Sequence, residues 1–264
     1  MSNLSNLSLR LITAGVLSSV FLLALFLASA PVWVAFITLF MTGAAWEWAG
    51  LMKLGSHARL AYTASTALLS LVVSTLGITA VMPVYLPALM FWVLLAPVWL
   101  ERGWNLPASW LGLLLGWVLL LSTLLALLLL RSASPYLLLA VVGIAIVADT
   151  AAYFTGRAFG RHKLAPAISP GKTWEGAIGG AVGVVVYALL LPSPAGINKA
   201  QLVAAALFLC ILSVLGDLFE SWIKRRAEVK DSSQLLPGHG GILDRIDSQL
   251  AVLPVAAFIW IWLS

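Results

Sequence analysis

Apolar stretches of close to twenty residues follow one another along nearly the whole chain, each bounded by a charge, a proline or a glycine. A helix rises about 1.5 Å per residue, so such a stretch crosses the roughly 30 Å hydrocarbon core of a bilayer. Membrane-spanning strands need only about ten residues and alternate in polarity, so the pattern predicts helices. Nine spans are expected, near 11–30, 32–52, 60–79, 83–100, 108–130, 136–156, 177–191, 201–219 and 249–263. The last three are short for a crossing, which tilt, thinning or packing inside the protein accommodates. Ala28-Ser29-Ala30 mimics the cleavage site of a secretory signal. Pro31 follows immediately, the apolar run exceeds a usual signal core and many spans come after it, so a retained first helix is expected.

The pattern is reinforced by composition: 62% of residues are hydrophobic, 9% are charged and the mean hydropathy is +1.04. An ordinary soluble domain carries about 25% charged residues. The fold class expected is therefore all-α, a polytopic integral membrane protein forming one structural domain. The net charge of +5 does not point to nucleic acid, because the basic residues lie between spans, where they set topology and meet anionic headgroups of membrane lipids. Cys210 is the only cysteine, which excludes an internal disulfide and argues against thiolate metal chemistry.

With the N-terminus inside and the C-terminus outside, thirteen Lys and Arg residues collect on one face and only Arg131 and Lys199 on the other. Cytoplasmic loops carry such an excess, so the populated face is the inner one. The acids share the asymmetry: Glu47, Glu101, Asp149, Glu175, Asp217, Glu220, Glu228, Asp231, Asp244 and Asp247 all fall in inner loops or in the inner half of a span. A polar cavity open to the cytoplasm is therefore expected. Trp33, Trp46, Trp48, Trp92, Trp99, Trp104 and Trp110, near span ends of a half poor in polar residues, are expected as interfacial anchors. Gly112 with Gly116, and Gly176 with Gly180, have the spacing that lets helices approach closely. Packing within the chain is the expectation there, and a homodimer contact the alternative.

Three inner-face clusters can carry chemistry. Asp149, with Tyr153 a turn on, is an acid inside a span, which is costly unless it is paired or lines a wet cavity. The segment 157–175 leads through Ser169, Pro170, Gly171, Lys172 and Thr173 into a helix whose free N–H groups, with Lys172 beside them, suit an anion. Gly-Lys-Thr echoes a P-loop, but the upstream glycine and the preceding soluble strand are missing. The third cluster is Ser221–Ser248 with the end of the preceding span. Asp217, Ser221, Lys224 and Glu228 share a helix face, and Asp244 and Asp247 are three apart. If the turn Gly238-His239-Gly240-Gly241 folds the last helix back, Asp217, Asp244 and Asp247 converge. Hard oxygen ligands with few His suit Mg²⁺, which takes waters and substrate phosphates as its remaining ligands. Lys224, Arg225, Lys230 and Arg245 add cations around the same point, completing the parts needed for phosphoryl or nucleotidyl transfer.

At these residues the chain resembles the phosphatidate cytidylyltransferases, or CDP-diglyceride synthases. Their C-terminal pattern is unbroken here as Ser221-Trp222-Ile223-Lys224-Arg225, Lys230-Asp231, Pro237-Gly238-His239-Gly240-Gly241 and Asp244-Arg245-Ile246-Asp247. Upstream, Asp149, Ala152-Tyr153-Phe154, Gly156-Arg157 and Ile168 through Gly176 are also similar, although many members carry Lys where this chain has Gly171. The likeness covers roughly 140–260, which makes 136–264 the expected catalytic portion and 1–135 a lipid-facing scaffold.

The resemblance implies that CTP and phosphatidic acid give CDP-diacylglycerol and pyrophosphate, at the cytoplasmic face of a bacterial-type inner membrane. It implies Mg²⁺ on Asp217, Asp244 and Asp247, with a monovalent cation such as K⁺ beside it. On that reading Lys224 and Arg225 offset developing charge, and Ser169 with Lys172 grips a phosphate. Asp231 and His239 join the catalytic set, while Asp149, Thr173, Ser221, Lys230 and Arg245 line the substrates. The rivals are an enzyme that transfers phosphatidyl groups from CDP-lipids to alcohols, a CTP-dependent lipid kinase, and a transporter. The phosphatidyltransferase pattern breaks at Ser248-Gln249-Leu250, and a bare outer face disfavours transport.

Overall fold

The computed structural model describes residues 6–76, 78–104, 110–194 and 196–263. Its helices are α1 (Asn6–Leu27), α2 (Ala30–Leu51), α3 (Ser56–Ser74), α4 (Ile78–Met90), α5 (Ala96–Arg102), α6 (Trp110–Ala133), α7 (Pro135–Phe159), α8 (Trp174–Leu190), α9 (Lys199–Arg226) and α10 (Leu243–Leu263). Every expected span meets helical structure. The spans expected at 60–79 and 108–130 also run over residues 77 and 108–109, which lie outside the described residues. Among the described residues, six helices are long and apolar enough to cross a membrane: α2, the segment Val84–Arg102, α6, α7, α9 and α10. Leu11–Leu27 and Trp174–Leu190 are shorter apolar helices.

Helix ends follow local chemistry. Ser134 caps α7, its hydroxyl accepting from the Tyr136 N–H at 3.2 Å, with Pro135 in the first position. Asn198 and Gln201 cap α9 reciprocally, each side chain accepting a backbone N–H at 2.9 Å. A π-helical turn at Phe91–Leu95 joins α4 to α5, and the Ala96 N–H reaches back to the Phe91 carbonyl. Pro97 follows at once, and its missing N–H and bulky ring favour a widened turn there.

Two boundaries differ from the hydropathy reading. α9 runs on to Arg226 rather than ending at 219, and α10 begins at Leu243 rather than 249. The charged turns stay helical because their charges suit the helix ends: Lys224, Arg225 and Arg226 close the last turn of α9 and Asp244 opens α10. The segment expected as a loop before α8 contains an antiparallel hairpin, β1 (Lys163–Ala165) with β2 (Ser169–Thr173), in which Lys163 faces Thr173 and Ala165 faces Ser169.

The core holds three of the tryptophans expected at the membrane interface. Trp33, Trp48 and Trp92 are almost fully buried, whereas Trp104 and Trp110 are exposed. Neighbouring helices cover the buried rings. Trp48 donates its indole N–H to the Gly112 carbonyl at 3.0 Å, Trp33 lies under the Arg131 guanidinium, and Trp92 meets Phe219 edge-on. The small-residue pairs pack inside the chain: Gly116 faces Trp48 and Tyr62, while Gly176 and Gly180 face the Ala152 and Ala148 carbonyls of α7. A Cβ at Gly180 would come within 2.9 Å of the Ala148 oxygen, so the α7–α8 crossing depends on its absence.

Candidate functional site

The polar residues gather in two adjoining networks. The first lines a cavity of about 410 Å³ between α7, the hairpin, α8 and α9, within the usual size range of small-molecule sites. Asp149, Tyr153, Arg157, Ser169, Lys172 and Asp217 line it. β2 carries Lys172 across to α9, where its ammonium sits 2.7 Å from Asp217 Oδ2; the Ser221 hydroxyl donates to Asp217 Oδ1 at 3.2 Å. Both charged partners are half-buried. Thr173 turns the strand into α8 by accepting the Gly176 N–H at 3.1 Å, so its hydroxyl serves as a helix cap. Glu175 ties the base of the hairpin. It accepts from the His162 ring at 2.6 Å and from the Arg161 N–H at 3.1 Å, and the His162 contact, followed by the backbone donors, holds its carboxyl down to about 2.

α10 folds back along α9, and Gly216 sets how closely. A Cβ there would lie 2.6 Å from the Asp247 carbonyl oxygen. The crossing holds the Asp247–Ser248 turn of α10 against Gly216, one residue before Asp217. Ser248 links the helices, donating to the Ser213 carbonyl at 3.2 Å and lying 3.5 Å from Asp149 Oδ2. Asp149 and Asp217 stand in the cavity with Lys172 and Arg157, and the acids offer hard oxygen donors. Among the described residues, no three His, Cys, Asp or Glu side chains enclose a metal ion by themselves. The donor set fits a cation such as Mg²⁺, which uses one or two carboxylates and fills its remaining positions with water and substrate phosphate.

The second network divides the carboxylates that the spacing put together. Asp244 Oδ1 accepts from Lys224 at 2.6 Å, while Oδ2 accepts from the Ser232 N–H at 3.0 Å and the Gly241 N–H at 2.7 Å and shares the single Ser232 hydroxyl proton, 3.0 Å away, with Glu47. Lys224 is also 2.5 Å from Glu220, and both acids are buried. Asp244 therefore ties the loop 232–241 to α9 and α10, where convergence with Asp217 and Asp247 had been expected. The Gly240-Gly241 pair is explained by the same knot. Gly240 adopts φ +77°, and a Cβ at Gly241 would fall against Ser232 Oγ and the Glu47 carboxylate.

The remaining predicted residues are spread around these networks. Arg225, Lys230, Asp231 and Arg245 are exposed. His239 is half-buried, with Nδ1 enclosed and lacking a hydrogen-bond partner among the described residues. Two acids that sequence reasoning passed over, Glu47 and Glu220, are buried in the second network. The signal for Glu47 was an ionisable side chain inside an expected span, the criterion that singled out Asp149, whereas Glu220 falls one residue past the span expected at 201–219.

Comparison with known proteins bears on this arrangement. A model of the cytidylyltransferase family matches residues 8–262. A protein of Pseudomonas aeruginosa named phosphatidate cytidylyltransferase is 39% identical over 95% of this chain and 96% of its own length. Proteins of the same name from Haemophilus influenzae and Bacillus subtilis are 47% and 49% identical, over 47% and 42% of this chain and 46% and 42% of their own lengths.

Proposed function

The chain belongs to the cytidylyltransferase family, and from that premise we propose how its cavity performs the reaction. The protein is a nucleotidyltransferase of phospholipid biosynthesis that converts CTP and phosphatidate to CDP-diacylglycerol and pyrophosphate. A phosphate oxygen of phosphatidate forms a bond to the α-phosphorus of CTP, the bond from that phosphorus to the bridging oxygen of the β-phosphate breaks, and pyrophosphate leaves. The lipid phosphate is already anionic at neutral pH, so the site needs alignment and charge neutralisation more than a strong base.

One observation carries the assignment of this chemistry to the cavity: a half-buried Lys172–Asp217 pair in a chamber shared with Asp149. Lys172 is the cation placed to hold a phosphate oxygen, with Ser169 beside it and Arg157 also on the wall. Asp217 and Asp247 would hold Mg²⁺, with Asp149 adding negative charge, and a monovalent cation such as K⁺ would share the same acidic group. When bound, Mg²⁺ supplies neutralisation of the nucleotide phosphates. Lys224, half-buried between Glu220 and Asp244, serves chiefly to hold α9 to the loop before α10. In this reading the cavity opens to the cytoplasm, because the basic residues crowd that face, in a bacterial-type inner membrane where phosphatidate lies at headgroup level.

The test is release of pyrophosphate and formation of CDP-diacylglycerol by the detergent-solubilised protein given CTP, phosphatidate and Mg²⁺. The reading expects both products in equal amounts and neither when phosphatidate is omitted. Release of CDP in place of pyrophosphate would contradict it.

A further inference from the structure

We propose that Glu47, in the N-terminal half and far along the chain from the catalytic pattern, is a positioning residue for the reaction; this rests on the functional reading above. Glu47 lies near the end of α2 between Trp46 and Trp48 and is fully buried. Its carboxylate is met by four donors, all from the segment leading into α10, one of them the Ser232 hydroxyl that it shares with Asp244. Oε1 takes the Ser233 hydroxyl at 2.6 Å and the Ile242 N–H at 2.9 Å; Oε2 takes the Ser232 hydroxyl at 3.0 Å and the Leu243 N–H at 2.7 Å. Two of these donors are backbone groups at the N-terminus of α10, which have no partner within the helix and favour a negative charge.

The consequence is a fixed position for the start of α10. Ser232 bridges Glu47 to Asp244, and Asp244 passes the constraint to Lys224 on α9. One helical turn beyond Asp244 lies Asp247, and the next residue, Ser248, stands 3.5 Å from the cavity acid Asp149. A scaffold helix therefore sets where an acid of the second half stands, through a chain of charged hydrogen bonds. Glu47 acts through the loop and α10, without touching the cavity residues.

Size and charge make opposite predictions. Glutamine matches glutamate in shape, but each Glu47 oxygen meets one backbone N–H, so either orientation of the amide sets an NH₂ against a donor that cannot turn. Aspartate is a methylene shorter but keeps the charge and every acceptor site. If the acceptors matter, Glu47→Asp retains more activity than Glu47→Gln; if Glu47 only fills space, the order reverses.

The experiment compares kcat and KM per folded enzyme with hydrogen exchange of the amides of residues 232–243, in detergent. For Glu47→Gln we expect kcat about tenfold lower with KM for CTP little changed, and faster exchange in that segment. For Ser233→Ala, a milder change that removes one of the four bonds, we expect kcat about threefold lower. Wild-type kcat and exchange in both variants, or a Glu47→Asp protein less active than Glu47→Gln, would overturn the proposal. An inactive wild-type protein would instead refute the functional reading, while exchange would still decide whether Glu47 holds α10.

Discussion

At the scale of single residues, two lysines of similar appearance in the sequence have opposite surroundings. Lys224 is locked between the buried Glu220 and Asp244, whereas Lys172 reaches one half-buried acid on a cavity wall. Lys224→Met should therefore cost stability, about 3–5 kcal/mol, because it strands buried carboxylates, and unfolding in detergent will read that loss. Lys172→Met should leave unfolding nearly unchanged and lower kcat/KM by about 100-fold. Glu175 makes a pH-dependent prediction. It stands in the first turn of α8, and its carboxyl falls from the ordinary 4.5 to about 2 because of His162 and the neighbouring N–H groups. A depressed folded value stabilises the protein above the unfolded value, and that contribution drains away as pH falls through the folded one. The difference in unfolding midpoint between wild type and Glu175→Gln should hold at neutral pH and close between pH 4.5 and about 2.

At the scale of elements, the turn before α10 decides the geometry. Gly240→Ala places a side chain at φ +77° and 2.7 Å from Asp244 Oδ2. It should disturb the Asp244 knot and reduce activity more than Gly171→Ala, which has open space around it; parallel assays of the two variants check this. Much of the element plan was legible in the sequence, because apolar runs report helices whatever they pack against. The inner ends of α9 and α10 were hidden, since hydropathy stops at the first charges while the helix continues through them. The hairpin was hidden because a three-residue strand facing a Ser-Pro-Gly-Lys-Thr segment has no alternating pattern to show. In the site, Asp217 and Lys172 were found as candidates, but their pairing was not, because it joins a strand to a distant helix. A spacing of three placed Asp244 and Asp247 on one side of the helix; which of them the loop would occupy depended on backbone donors and on Glu47, which spacing does not reveal.

At the scale of the whole molecule, polar contacts concentrate at one end of the bundle. There α2 meets the start of α10 through Glu47, and Arg226 at the end of α9 donates to the Gly103 carbonyl after α5. The two basic residues expected on the other face serve helix ends: Arg131 donates to the Leu25 and Ala28 carbonyls, and Lys199 bonds the Leu191 carbonyl. The proposed orientation predicts that a membrane-impermeant maleimide labels Ser193→Cys in intact cells and Lys53→Cys only after permeabilisation; the native Cys210 is buried and should stay silent. The most direct test of the central claim is formation of CDP-diacylglycerol from CTP and phosphatidate by wild type, Asp217→Asn and Asp247→Asn, each shown to be folded by its unfolding midpoint. The account predicts product from the wild type and a loss of about 100-fold or more in both variants; undiminished turnover by Asp217→Asn would contradict it.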